Sequence, residues 1–173
     1  MSAIDAVETG SSAEFPDFEY CVVSLEGGWT VVWAPEEFFN NQRCKALSAT
    51  HPIIAVSVNE TVMYSDARWF ENGELVWSIW HQGDEDRSHL ESSGPVPDIG
   101  KTIERAKRVE QAEDDASEPE YSVDVIFEIP LALAATYCPF KHDEFEGDKG
   151  ACKELRLKTT PQRRGFLQRL FGG

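Results

Sequence analysis

Bases are scarce in this chain. Only 16 Lys and Arg stand against 31 Asp and Glu, a formal net charge of −15. That deficit excludes a broad nucleic-acid-binding face on the body, because phosphate binding rests on clustered Lys and Arg. Long apolar runs are missing as well; none approaches the roughly 18 residues a membrane-spanning helix needs. Residues 1–15 contain no base and no apolar stretch of the kind a secretory leader carries, so the expected compartment is the cytoplasm. The four cysteines, at 21, 44, 138 and 152, form no Cys-x-x-Cys pair and read as free thiols. G-x-S-x-G, His-Glu-x-x-His and Walker-type runs are all lacking. The glycines sit in turn contexts and build no phosphate cradle, so no cofactor is expected.

What remains is 173 residues with 41% hydrophobic and 11% aromatic content, enough for one domain with a real core. Residues 1–18 read as a disordered acidic arm, 19–157 as a single domain, and 158–173 as a basic amphipathic tail. Two β-branched and aromatic runs, 19–25 and 29–33, flank Glu26-Gly27-Gly28 and predict a hairpin. Pro35 and the acids after it predict a helix over about 35–48, ended by Thr50-His51-Pro52. Strands are expected over 53–58, 61–70 and 74–81, with Asn72-Gly73 as the turn between the last two. In the third run Leu75, Trp77 and Ile79 share one face, and Val76, Ser78 and Trp80 the other. A short strand over 88–92 follows the acidic loop 82–87.

After the breaker Gly94-Pro95-Val96-Pro97, a surface helix is expected over 98–116, with Ile99, Ile103, Ala106 and Val109 as its buried seam. Its acid-only second half, from Glu110, is expected to fray. Residues 121–128 alternate and predict another strand, Pro130 opens a short helix over 131–137, and a last strand runs over about 153–157. The fold class is therefore α+β: a largely antiparallel sheet of five to seven strands with two or three helices on one side.

Chemistry centres first on histidine. His81 ends an aromatic strand, and His89 follows across a loop carrying Asp84, Glu85 and Asp86. The two imidazoles and one carboxylate would suit a hydrolytic or metal-assisted pocket. The favoured reading is plainer, with both rings hydrogen-bonded to backbone at strand ends. His142 and Asp143 form a second polar cluster, and neighbours in sequence seldom share a pocket. A Cys138/His142 nucleophile pair is opposed by Pro139, which breaks a helix between them. Cys138, His142 and Cys152 match no usual zinc spacing, and no metal site is expected.

The five tryptophans, at 29, 33, 69, 77 and 80, fall in predicted strands and count first as core. Trp80, on the face away from Trp77, is the candidate for a binding surface, together with Asp84, Glu85 and Asp86. The charge is also unevenly placed. Residues 156–173 hold five bases and no acid; setting those aside leaves 11 bases against 31 acids, a body near −20. In the tail, Arg163 and Arg164 are interleaved with Phe166, Leu167, Leu170 and Phe171, one apolar stripe if helical. Such a tail suits docking on its own body, on a protein partner or, less readily, on an anionic membrane.

Certain runs in the middle carry a resemblance: Glu60 to Ser65, Trp69 to Gly73 with Trp77 and His81, then His89-Leu90, Gly94 and Phe140 to Asp143. Over about 60–143 the chain resembles a group of short, uncharacterised bacterial proteins. The resemblance implies a bacterial accessory or immunity-type protein and supplies no mechanism. The leading expectation is thus a non-enzymatic interaction module with an acidic body and a basic protein partner, in its concrete form a toxin-neutralising immunity protein. A small enzyme built on His81 and His89, and a peripheral regulator acting through the tail, are the alternatives. Oligomeric state is left open by the sequence.

Overall fold

Local pattern sets most of the strands. A computed structural model describes residues 6–13, 19–84, 86–117, 123–141 and 152–157. The order is β1 (Ala6–Ala13), β2 (Cys21–Ser24), β3 (Thr30–Trp33), a 3-10 turn (Glu36–Phe39), α1 (Asn41–Ser48), β4 (Ile53–Asn59), β5 (Tyr64–Glu71) and β6 (Glu74–Gln82). Then follow β7 (Glu91–Ser93), α2 (Asp98–Ser117), α3 (Glu128–Ala135) and β8 (Cys152–Leu157). The fold is α+β, and all strand pairings are antiparallel.

Among the described residues the strands divide into two four-stranded sheets, β1-β8-β2-β3 and β4-β5-β6-β7, where the sequence suggested one. Residues 6–13 of the expected arm form β1, which pairs with β8 at the far end of the chain. AVETGSSA has no strand pattern of its own; its ladder comes from a partner some 145 residues away, and a local reading cannot see it. The expected hairpin closes as β2 and β3, in register from Cys21 opposite Trp33 to Ser24 opposite Thr30. The helix expected over 35–48 breaks at Asn40, whose extended backbone ends the 3-10 turn. Its side chain then caps α1 by accepting from the Arg43 N–H at 3.0 Å.

In the second sheet, Asn72 and Gly73 both take positive φ (53° and 82°), the pairing a two-residue hairpin turn needs to match strand twist. β5 starts at Tyr64, three residues later than expected. Asn59 Oδ1 accepts from the Thr61 N–H at 3.1 Å, and Met63 adopts φ 46°, so residues 60–63 are spent on the turn. β6 runs as expected, and β7 shrinks to three exposed residues.

The period-2 alternation of β4, β5 and β6 sends two apolar sets to opposite faces. Ala67, Trp77 and Ile79 pack with Ile126, Ile129, Leu133 and Ala134 of the α3 region. Ala55 and Phe70 pack with Cys44 of α1 on the other side. Helices therefore cover both faces of this sheet. Phe70, Ile129 and Leu133 are fully buried, each worth roughly 1.5–3 kcal/mol in transfer free energy.

Two expectations after Pro97 are corrected. α2 does not fray at Glu110 but continues to Ser117, and it is rotated from its expected orientation. Gly100 and Gln111 are its buried residues, Ile103 is half-buried, and Ile99 and Val109 face solvent. The reason is that its second half holds the chain at 123–125. Val123 donates to Asp114 Oδ2 at 2.8 Å and Val125 to Gln111 Oε1 at 2.8 Å, while Gln111 Nε2 donates to the Val123 carbonyl at 2.9 Å. Those same bonds replace the expected strand at 121–128. Residues 123–127 run irregularly into α3, because side chains take the backbone donors of Val123, Val125 and Phe127 instead of a ladder. Residues 121 and 122 lie outside the described residues.

Candidate functional site: the buried His81–Asp124 pair

His81 sits at the end of β6, on the face of Trp77 and Ile79, and period 2 therefore delivers its imidazole to the core. It is 0% exposed. Nδ1 lies 2.6 Å from the His89 carbonyl oxygen, which can only accept, so Nδ1 carries a proton. Nε2 lies 2.8 Å from Asp124 Oδ2, whose side chain is 7% exposed. One of those two atoms must donate, so a second proton lies between ring and carboxyl. Asp124 Oδ1 accepts from the Phe127 N–H at 3.2 Å, closing the turn that leads into α3. The Phe127 ring stands edge-on to His81 with centroids 6.4 Å apart.

His89 faces the opposite requirement. The Gln82 N–H donates to its Nδ1 at 2.9 Å, so that nitrogen is bare and the ring proton lies on Nε2, 3.6 Å from Glu91 Oε1. These tautomers are assigned from the partners of each nitrogen. The two rings lie 6.1 Å apart between centroids. They are nonetheless committed: His81 Nε2 is roofed by Gly83, where even a Cβ would come within 2.7 Å of it. With both nitrogens bonded and no exposure, His81 has no face to offer a substrate.

Around this pair the loop between β6 and β7 is tied down. Arg87 Nη2 donates to the Val123 carbonyl at 2.7 Å, Arg108 Nη1 to the Ser88 carbonyl at 3.2 Å, and the Gly83 N–H to the Met63 carbonyl at 2.9 Å. Asp84 accepts from Gln82 Nε2 at 2.6 Å. Asp86 accepts from both the backbone N–H and the hydroxyl of Ser88 at 2.8 Å. Those two donors, with His89 and His81 beyond them, hold the exposed Asp86 carboxyl below its ordinary 3.8. Asp84 and Asp86 are both exposed on this loop, and Glu85 lies outside the described residues.

Trp80 is half-buried on the far face of the sheet, opposite Asp66 and Glu91 in the ladder, with its ring 6.4 Å from His89. Its neighbour Asp66 belongs to a polar network. It accepts from the Ser57 N–H at 3.1 Å and the Tyr64 hydroxyl at 2.9 Å, and lies 3.3 Å from Arg68 Nε.

Of the remaining sequence candidates, His142, Asp143, Arg163, Arg164, Phe166, Leu170 and Phe171 lie outside the described residues. Cys138 is buried, and burial pushes its thiol up, away from the thiolate a nucleophile requires. Among the described residues no group of three or more His, Cys, Asp and Glu is placed to hold a metal ion. No helix among them is long and apolar enough to cross a membrane.

Asp124 and Gln111 are the residues sequence reasoning missed. A lone acid inside the apolar run Val123 to Phe127 was the available signal for Asp124. For Gln111, amid acids on a helix, there was none. Comparison with protein-family models, curated proteins and solved structures finds no match for this chain.

Proposed function

We propose that the chain is a non-enzymatic protein-interaction module whose acidic surface engages a basic protein partner, in its concrete form a toxin-neutralising immunity protein. The observation that carries this reading is the loop between β6 and β7. It holds Asp84 and Asp86 exposed while its backbone is anchored to Met63, Val123 and α2. Residues held in place before binding lose less entropy when they bind, and exposed carboxylates on an acidic body speed encounter with a cationic surface. Many toxins that attack nucleic acid are basic, and an acidic surface suits occlusion of such a site. The enzyme alternative is disfavoured by the same geometry, since its proposed base, His81, is enclosed and doubly bonded.

The test is a pull-down from cells of the source organism at low and high salt, using the wild-type chain and the Asp84→Lys, Asp86→Lys double variant. A basic protein held by wild type at low salt, released at high salt and lost by the variant is the expected result. Retention of no basic protein at either salt refutes the proposal.

A further inference from the structure

The ladder between β6 and β7 ends with Trp80 opposite Glu91, and two residues further along β6 Gln82 comes to face His89. There the imidazole stands in for a strand. The Gln82 N–H donates to His89 Nδ1 at 2.9 Å, and the His81 ring returns the contact by donating from Nδ1 to the His89 carbonyl at 2.6 Å. Each segment satisfies the other through one side chain and one backbone group, much as a capping box does at a helix end. The His89 N–H in turn donates to the Asp86 carbonyl at 2.9 Å, so the clamp extends to that acid.

The two histidines differ in how their bonds depend on charge. His81 contributes a donor to the clamp, and a ring N–H remains a donor whether the imidazole is neutral or cationic. His89 contributes an acceptor. Its Nε2 already carries the ring proton, so a second proton can enter only at Nδ1, whose single lone pair is taken by the Gln82 N–H. Bond and proton exclude one another there. Access differs as well: the His81 side chain is fully enclosed, while that of His89 is 22% exposed and open to water.

The charged and titratable groups around the His89 ring are Glu91 of β7, Asp86, His81 of β6 with Asp124 behind it, and Arg108 of α2, which donates to the neighbouring Ser88 carbonyl. A cationic ring has two donors and no acceptor, so it turns from Gln82 toward the exposed carboxylates of Glu91 and Asp86. The Ser88 donors keep Asp86 ionised in mild acid, so that partner is available when the ring takes up its proton.

We propose that His89 is a proton-operated latch: the neutral ring fastens residues 86–90 to the end of β6, and the protonated ring lets go of Gln82. Asp86, in the fastened stretch, is one of the carboxylates of the partner-binding reading. Capture of a basic partner near neutral pH and its release in acid is the consequence, and only that consequence rests on the reading.

The test is hydrogen exchange of the Gln82 amide, followed by NMR in the full chain at about pH 7.5 and about pH 5.5, within the range where imidazoles ordinarily change charge. Rates are corrected for intrinsic exchange and referred to the Ile79 amide in the interior of β6. Loss of one hydrogen bond should lower Gln82 protection about tenfold on acidification. His89→Asn, whose amide oxygen accepts without titrating, should hold Gln82 at both values, and His89→Ala at neither. Wild-type protection that does not change between the two values overturns the proposal. So does a fall that persists in His89→Asn, which assigns the proton to another group, or nitrogen shifts that put the neutral ring's proton on His89 Nδ1. No partner is present in these measurements, so their failure leaves the partner-binding reading standing, and failure of the pull-down leaves the latch standing.

Discussion

Removal of the Asp124 carboxylate tests the central polar contact of the fold. In Asp124→Ala, His81 Nε2 loses its one partner among the described residues at 0% exposure, and the Phe127 N–H loses the acceptor that closes the turn into α3. Breaking a buried pair by deleting one member costs about 3–5 kcal/mol, because the other member stays buried and unpaired. Domains of this size are stable by only about 5–15 kcal/mol, so the variant should be close to its folding limit. Asp124→Asn is the informative control. Its amide oxygen can take the Oδ1 position and still accept from Phe127, while its NH2 donates to a neutral His81 Nε2, leaving Nδ1–H on the His89 carbonyl. With every bond kept, the cost should stay below about 1.5 kcal/mol. Urea unfolding followed by tryptophan fluorescence gives the readout, since Trp77 lies in the same core. At a slope of about 2 kcal/mol per molar urea, the alanine variant should unfold about 1.5–2.5 M earlier and the asparagine variant within about 1 M of wild type. An alanine variant as stable as wild type, or an asparagine variant as unstable as alanine, would refute the hydrogen-bond assignment.

Gln111→Ala should orphan the buried Val125 N–H and leave the Val123 carbonyl to Arg87, costing about 1–3 kcal/mol. Amide exchange at Val123 and Val125 should quicken before the rest of the domain; unchanged protection there would remove Gln111 as the tether. The thiols give a pH prediction. Burial, with the neighbouring Cys152 thiol, pushes Cys21 up from 9.0 to about 12, and burial also raises Cys44 and Cys138. Folded thiols therefore keep protons that unfolded ones release. Their contribution to stability is full below the unfolded value near 8.5–9 and is lost as pH rises from there toward about 12. Native protein at pH 8 should react with a thiol reagent far more slowly than urea-unfolded protein, and rapid labelling of Cys21 in the native state would contradict this.

Features governed by local physics are legible in the residues alone. Asn72-Gly73 dictated a hairpin turn through its tolerance of positive φ, and Gly27-Gly28 lies in another. Alternation in β6 placed Trp77 and Trp80 on opposite faces, and the same alternation already put His81 with Trp77 and Ile79. Pro97 and the following helix formers set the start of α2. Pairings between distant segments emerge only in the packed fold. β1 exists because β8 offers it a ladder, and no pattern in AVETGSSA announces that. The orientation of α2 departs from its apolar stripe, because the backbone of residues 123–125 needs Gln111 and Asp114 more. An unpaired buried N–H or C=O costs as much as several exposed methyl groups recover, so polar satisfaction outweighed the weaker apolar preference of Ile99 and Val109. The partner of His81 followed the same rule. Its place in the core was legible from strand period, but the identity of the carboxylate that satisfies it, Asp124, depended on where α2 and α3 bring the chain back, and that is a property of the packed fold alone.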